Sequence, residues 1–76
     1  MNERVTNKVL YEFCAFYRQQ FGKIHDATRF RNELGLRFYH QSKDSNGLFE
    51  QCIKEKYIRS DAGNIIIKVG GKNDGY

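Results

Sequence analysis

Apolar residues recur at helical spacing in three stretches of the chain, and the first stretch is the longest. Residues 8–21 contain no glycine or proline, follow the potential capping residues Thr6 and Asn7, and stop at Gly22. This pattern predicts about four turns of helix. Because its apolar residues form two adjacent stripes, we expect this helix to pack against more than one neighbour. One stripe contains Val9, Phe13 and Phe16, and the other contains Leu10, Cys14, Tyr17 and Phe21.

A second, shorter helix is predicted over residues 26–35. Asp26 can accept hydrogen bonds from the free N–H groups of a first turn, and Gly35 can take the left-handed conformation that ends a helix. The apolar residues Ala27, Phe30 and Leu34 share one face, which is expected to be buried. The residues expected to point outward are Arg29, Arg31, Asn32 and Glu33.

A third helix is predicted after a polar, poorly periodic stretch at residues 37–47. Either Ser45 or Ser42 could cap its first turn, so its start is defined only to within several residues. Its apolar residues at helical spacing are Leu48, Phe49, Cys52 and Ile53, and the opposite side carries Glu50, Gln51, Lys54 and Glu55.

The last ordered element is predicted to be a β-hairpin. Two β-prone runs, residues 57–60 and 65–69, flank the turn-forming residues 61–64. The second run begins with three consecutive isoleucines, which favour a strand over a helix. Residues 23–25 suit a single β-bridge that joins the edge of the same sheet.

The resulting order of helix, short strand, helix, helix, strand, strand resembles the winged helix-turn-helix superfamily over residues 8–69. Residues 30–36, with the sequence Leu34-Gly35-Leu36, look like the second helix and its turn. Residues 53–58 are similar to the end of a recognition helix that enters the first wing strand, with Lys56 where a glycine is common.

This resemblance implies an α+β fold of three helices and a C-terminal β-hairpin, occupying residues 1–69. The glycine-rich residues 70–76 are expected to form a disordered tail. The interval from Leu36 to Ile58 is longer than is usual in the superfamily, so either the turn carries an insertion or the recognition helix is long. The wing tip has no basic residue, which argues against contact of the wing with a minor groove.

Composition allows one small domain that could contact a polyanion. The 76 residues include 13 basic and 9 acidic residues, for a net charge of +4. A net charge of this size could equally serve only to keep the protein soluble. Two cysteines among apolar residues, no bilayer-spanning run and no signal-peptide core lead us to expect a cytoplasmic protein without membrane association. A prokaryote, or a virus that infects one, is the expected source.

The resemblance implies binding of double-stranded DNA through residues 41–51, in control of transcription or recombination. A homodimer is expected because one such module covers few base pairs. The candidate contacts are side chains that can reach base edges or phosphates. Near the start of the third helix these are Arg37, Tyr39, His40, Gln41, Ser42, Lys43, Ser45 and Asn46, and elsewhere Arg29, Arg31, Lys54, Arg59 and Lys68. A polar loop between two helices would, however, have a similar composition.

Two other kinds of binding fit the same residues. The fold could instead bind a host protein complex, as small phage and mobile-element proteins do, and Asp44, Glu50 and Glu55 favour this because they would repel phosphate. Alternatively, Phe38 and Tyr39 could stack on the unpaired bases of a single strand.

Metal binding and catalysis are not expected. The potential ligands Cys14, His25, His40 and Cys52 do not have the close spacing of structural zinc sites. The carboxylates are scattered, and His25 and Asp26, as sequence neighbours, should point apart on a strand. We therefore expect no cofactor and no enzymatic activity.

Overall fold

The computed structural model describes residues 5–39 and 44–70, which form three helices and a three-stranded sheet. The elements are α1 (Asn7–Phe21), β1 (Ile24–Asp26), α2 (Ala27–Arg37), α3 (Ser45–Lys54), β2 (Ile58–Asp61) and β3 (Asn64–Ile67). This order confirms the expected α+β fold class, three helices with a C-terminal β-hairpin in a winged-helix-like layout.

Side-chain caps start α1 and α2 at the expected places. The Thr6 hydroxyl accepts a hydrogen bond from the Val9 N–H at 3.2 Å, and the Asp26 carboxylate accepts one from the Arg29 N–H at 3.0 Å. Each bond satisfies an N–H group that has no partner within its own helix. The sequence therefore specifies both starting points locally.

The predicted end of α2 and the predicted cap of α3 are wrong. Gly35 lies inside α2, where it serves close packing, because a Cβ atom added to it would lie 3.2 Å from the Ser45 Cβ. The cap of α3 is Asp44, whose carboxylate accepts a hydrogen bond from the Gly47 N–H at 2.8 Å. Ser45 is instead the first residue of the helix, and Ser42 lies outside the described residues. α3 has 10 residues, so the long interval from Leu36 to Ile58 does not come from a long third helix.

The sheet has the order β1-β3-β2, with both pairings antiparallel. β1 pairs through three residues and is longer than the single bridge expected. The hairpin closes through Ala62 and Gly63, whose φ angles of 50° and 88° suit a two-residue turn that matches the twist of the strands. Ile65 and Ile67 of β3 face the core, and Ile66 lies on the outer face.

The core combines aromatic rings from all three helices with the inner face of the sheet. Phe30 of α2 is at the centre, with its ring centroid 5.4 Å from that of Tyr17 on α1 and 6.4 Å from that of Phe49 on α3. The buried residues are Leu10, Cys14, Tyr17, Phe30, Leu34, Phe38, Leu48, Phe49, Cys52, Ile58, Ile65 and Ile67.

The two apolar stripes on α1 are buried to different extents. Leu10, Cys14 and Tyr17 are buried, but Phe16 on the other stripe is 58% exposed and Val9 is 37% exposed. α1 does pack against more than one neighbour, as expected, since Tyr17 contacts Phe30 of α2 and Cys14 contacts Cys52 of α3. The core lies on the side of α1 that carries the buried stripe.

The chain continues along α1 after β3. A Cβ atom on Gly70 would lie 2.3 Å from the Ala15 Cα, so only glycine allows this approach. Gly70, which we assigned to the tail, thus lies against the helix. Residues 71–76 of the expected tail lie outside the described residues.

Candidate nucleic-acid interface

α3 buries one side and presents the other to solvent. Leu48, Phe49 and Cys52 are buried, whereas the residues on the opposite side are exposed or half-exposed. We call this second surface the α3 face; it comprises Asn46, Gly47, Glu50, Gln51 and Lys54. It contains one acidic and one basic side chain, so its formal charge is zero.

α2 holds α3 through one close approach and one cation–π contact. Gly35 lies against Ser45, as described above. The Arg31 guanidinium carbon is 4.4 Å from the centroid of the Phe49 ring, a distance at which a cation is attracted to the face of an aromatic ring. Arg31 was expected to point outward, but it is half-buried in this contact. Its charge therefore helps to join α2 and α3.

The first turn of α3 carries polar side chains next to an acidic capping residue. Asn46 is exposed and Ser45 is half-buried at the end of the helix where free N–H groups favour anions. Asp44 places a carboxylate at the same end, and this would compete with a phosphate. This carboxylate therefore weakens the attraction of the helix end for anions.

Two of the predicted DNA contacts, Arg29 and Arg37, lie on the side of α2 that faces α1. The Arg29 guanidinium lies near the Tyr17 hydroxyl. Burial raises the pKa of Tyr17, as does the nearby Glu33 carboxylate, while Arg29 opposes them. Arg37 lines a groove against α1 and lies 5.2 Å from the centroid of the Phe38 ring. These two cations thus belong to a different surface from the α3 face.

The other predicted DNA contacts among the described residues are spread around the fold. Lys54 lies on the α3 face, Arg59 is exposed on β2, and Lys68 is exposed after β3. Tyr39 follows α2 and is 54% exposed. Four candidates lie outside the described residues: His40, Gln41, Ser42 and Lys43.

Phe38 and the tip of the hairpin are both poorly suited to contact nucleic acid. Phe38 is only 2% exposed and its ring centroid lies 5.6 Å from that of Phe13, so the suggestion that Phe38 stacks on bases is wrong. In the sheet, Asn64 pairs with both Asp26 and Asp61 next to the hairpin turn. This acidic edge agrees with the absence of basic residues at the tip.

Sequence reasoning missed a groove beside α1. Its volume is about 320 Å³, and we call it the α1 groove; it is lined by Val9, Glu12, Phe13, Phe16 and Arg37. The half-buried Phe13 ring packs against Phe30 and Phe38 at centroid distances of 5.8 and 5.6 Å. The unusual width of the apolar stripes on α1 was the available signal, because a chain this small has few elements with which to cover them.

Two buried thiols join α1 to α3. The Sγ atoms of Cys14 and Cys52 are 4.0 Å apart, and this contact together with burial raises the pKa of Cys14. The thiol of Cys14 is therefore protonated at neutral pH. His25 lies elsewhere, where its Nε2 donates a hydrogen bond to the Gly22 carbonyl at 2.7 Å. Across residues 5–39 and 44–70, no group of three or more His, Cys, Asp or Glu side chains could hold a metal ion.

No protein-family model, curated protein or solved structure matches this chain. Within the part of the chain that the structure describes, no helix combines the length and apolar character needed to cross a membrane.

Proposed function

We propose that the protein binds double-stranded DNA through α3, as a regulator of transcription or recombination of the kind that phages and mobile elements encode. The observation that carries this proposal is the α3 face. It is a polar surface on a helix held by α2, and it begins with side chains that can hydrogen-bond base edges. A helix of this kind fits the major groove, and asparagine can pair with adenine through two hydrogen bonds.

In this proposal the basic side chains near α3 have two roles. Lys54 lies on the α3 face itself, and Arg59 lies on β2, a strand that contacts α3. These two side chains would bind phosphates beside the groove that α3 enters. Arg31 would act indirectly, since its contact with Phe49 fixes α3 on α2.

The test is fluorescence anisotropy of a labelled mixed-sequence duplex over a range of salt concentrations. We expect a dissociation constant of about 1 µM in low salt that rises steeply with salt. Lys54→Ala should weaken binding and reduce the salt slope by about one unit. Asn46→Ala should weaken binding to a preferred sequence more than to others.

Lys23→Ala is the matched control, because it removes the same charge next to β1, at the sheet edge opposite β2. If Lys23→Ala weakened binding as much as Lys54→Ala, net charge rather than α3 would account for the binding. Absence of binding in low salt would refute the proposal.

One observation favours a second function, binding to a host protein complex. Glu50 is exposed in the middle of the α3 face, where a phosphate-binding helix would gain from a neutral or basic residue. A protein partner with a basic patch would suit this position, and its binding would survive moderate salt better than DNA binding does. A complex isolated at about 0.15 M salt that Glu50→Gln abolishes would support this alternative.

A further inference from the structure

The α1 groove exposes apolar surface that the rest of the described chain does not cover. Phe16 is 58% exposed and Val9 is 37% exposed, and both lie beside the half-buried ring of Phe13. Adjacent exposed apolar side chains on a small domain mark a contact surface more often than isolated ones do. This groove could therefore receive an apolar side chain from another surface.

The charged residues of the groove lie on opposite sides of its apolar centre. With about 100° between successive residues of a helix, Glu12 lies on one side of the line from Val9 to Phe16, and Phe13 lies on the other. The Phe13 ring packs on Phe38, which directly follows Arg37. Across the groove the order is therefore acid, apolar centre, base.

This order is complementary to itself. A two-fold rotation about the apolar centre brings the acidic side of one copy onto the basic side of the other, as an isologous interface requires. We propose that two copies of this chain associate through the α1 groove. In this dimer Phe16 of each copy packs against the groove of the other, and Glu12 of each copy pairs with Arg37 of the other.

The interface is small, and this sets the expected affinity. A groove formed by two turns of one helix and the end of another places the interface below about 1,200 Å² in total, the range of transient complexes. We therefore expect a dissociation constant on the order of 10 µM. The proposal does not depend on DNA binding, because association is measured on the protein alone.

The first experiment is sedimentation equilibrium of the full chain from about 1 to 500 µM, a range that brackets this affinity. The wild type should shift from monomer to dimer, and Phe16→Gln should weaken association at least about tenfold, as expected for a central apolar contact. Phe21→Gln is the matched control, since Phe21 is on the same helix and 62% exposed but does not line the groove. A monomeric wild type at every concentration, or equal effects of the two substitutions, would overturn the proposal.

A charge exchange tests the pairing directly and does not depend on the aromatic variants. Glu12→Arg alone and Arg37→Glu alone should each be monomeric, because each places like charges together twice in a two-fold dimer. An equimolar mixture of these two variants should recover the dimer, because every charged pair is then opposite in sign. Failure of the mixture to associate, with both variants folded by circular dichroism, would overturn the proposed interface.

Discussion

The α1 groove and the α3 face lie on two helices that touch through buried thiols, yet they expose opposite chemistry. The groove is apolar with one charge on each side, whereas the α3 face is polar throughout. The difference follows from how widely the apolar residues are spread around each helix. Leu48, Phe49 and Cys52 of α3 are all buried, whereas the apolar residues of α1 occupy a wider arc, and Val9 and Phe16 remain exposed. Exposed apolar surface here reflects the width of that arc and not a weaker helix.

The largest effect should come from Phe30→Ala, which removes the ring that supports both surfaces. Phe30 contacts rings on α1 and α3, so its loss should cost about 3–5 kcal/mol of unfolding free energy. Urea denaturation followed by circular dichroism measures this. Leu36→Ala is the control, because Leu36 is 75% exposed and its removal should cost less than about 0.5 kcal/mol. Similar urea midpoints for Phe30→Ala and Leu36→Ala would show that the Phe30 ring does not support the two surfaces.

Alkaline pH should loosen the contact between the two helices. The pKa of Cys14 is raised by folding above its ordinary value of 9.0, so the unfolded chain loses this proton first. The contribution of the protonated thiol to the free energy of unfolding is fully present below pH 9. Above pH 9 this contribution should fall by about 1.4 kcal/mol per pH unit. Urea denaturation at pH 8 to 10 should therefore show that the free energy of unfolding falls less steeply with pH for Cys14→Ala than for the wild type. Parallel slopes would contradict a buried, protonated Cys14.

Removing the acidic charge of the α3 face distinguishes its two proposed partners. If α3 binds DNA, Glu50→Gln should strengthen duplex binding about threefold to tenfold at low salt, because a repulsive charge is lost. Glu33→Gln makes the same change next to Tyr17, on the α1 side of α2, and should have little effect. Unchanged anisotropy titrations for Glu50→Gln would favour the protein partner.

The smallest effect concerns the end of α3, away from the α1 groove. Lys56 has a φ of 66°, and its N–H and that of Tyr57 donate to the Ile53 and Cys52 carbonyls at 2.9 Å, a pattern that favours glycine. Lys56→Gly should therefore stabilise the fold by about 0.5–1 kcal/mol. Lys54→Gly, at the last residue of α3 and with a negative φ, should instead destabilise it by up to about 1 kcal/mol. Thermal denaturation should show a higher melting temperature for Lys56→Gly and a lower one for Lys54→Gly. Shifts of the same sign would contradict this geometry.

Features that depend on a few neighbouring residues were predictable from the sequence. Thr6 and Asp26 start their helices because each side chain reaches an N–H group three residues away. The consecutive isoleucines form a strand, and the turn formers before them close the hairpin. The candidate site was less predictable, because Arg29 and Arg31, two residues apart, contact different helices.

Capping, turn chemistry and hydrophobic periodicity act over a few residues, so the elements, their order and most of the core-facing residues could be predicted from the chain alone. Packing between elements sets which apolar side chains of α1 stay exposed, why Gly35 lies within a helix, and which cations reach the α3 face. Each of these depends on which elements meet across the core. α1 contacts α2 through Tyr17 and α3 through Cys14, yet Val9 and Phe16 stay exposed because none of the described elements covers them.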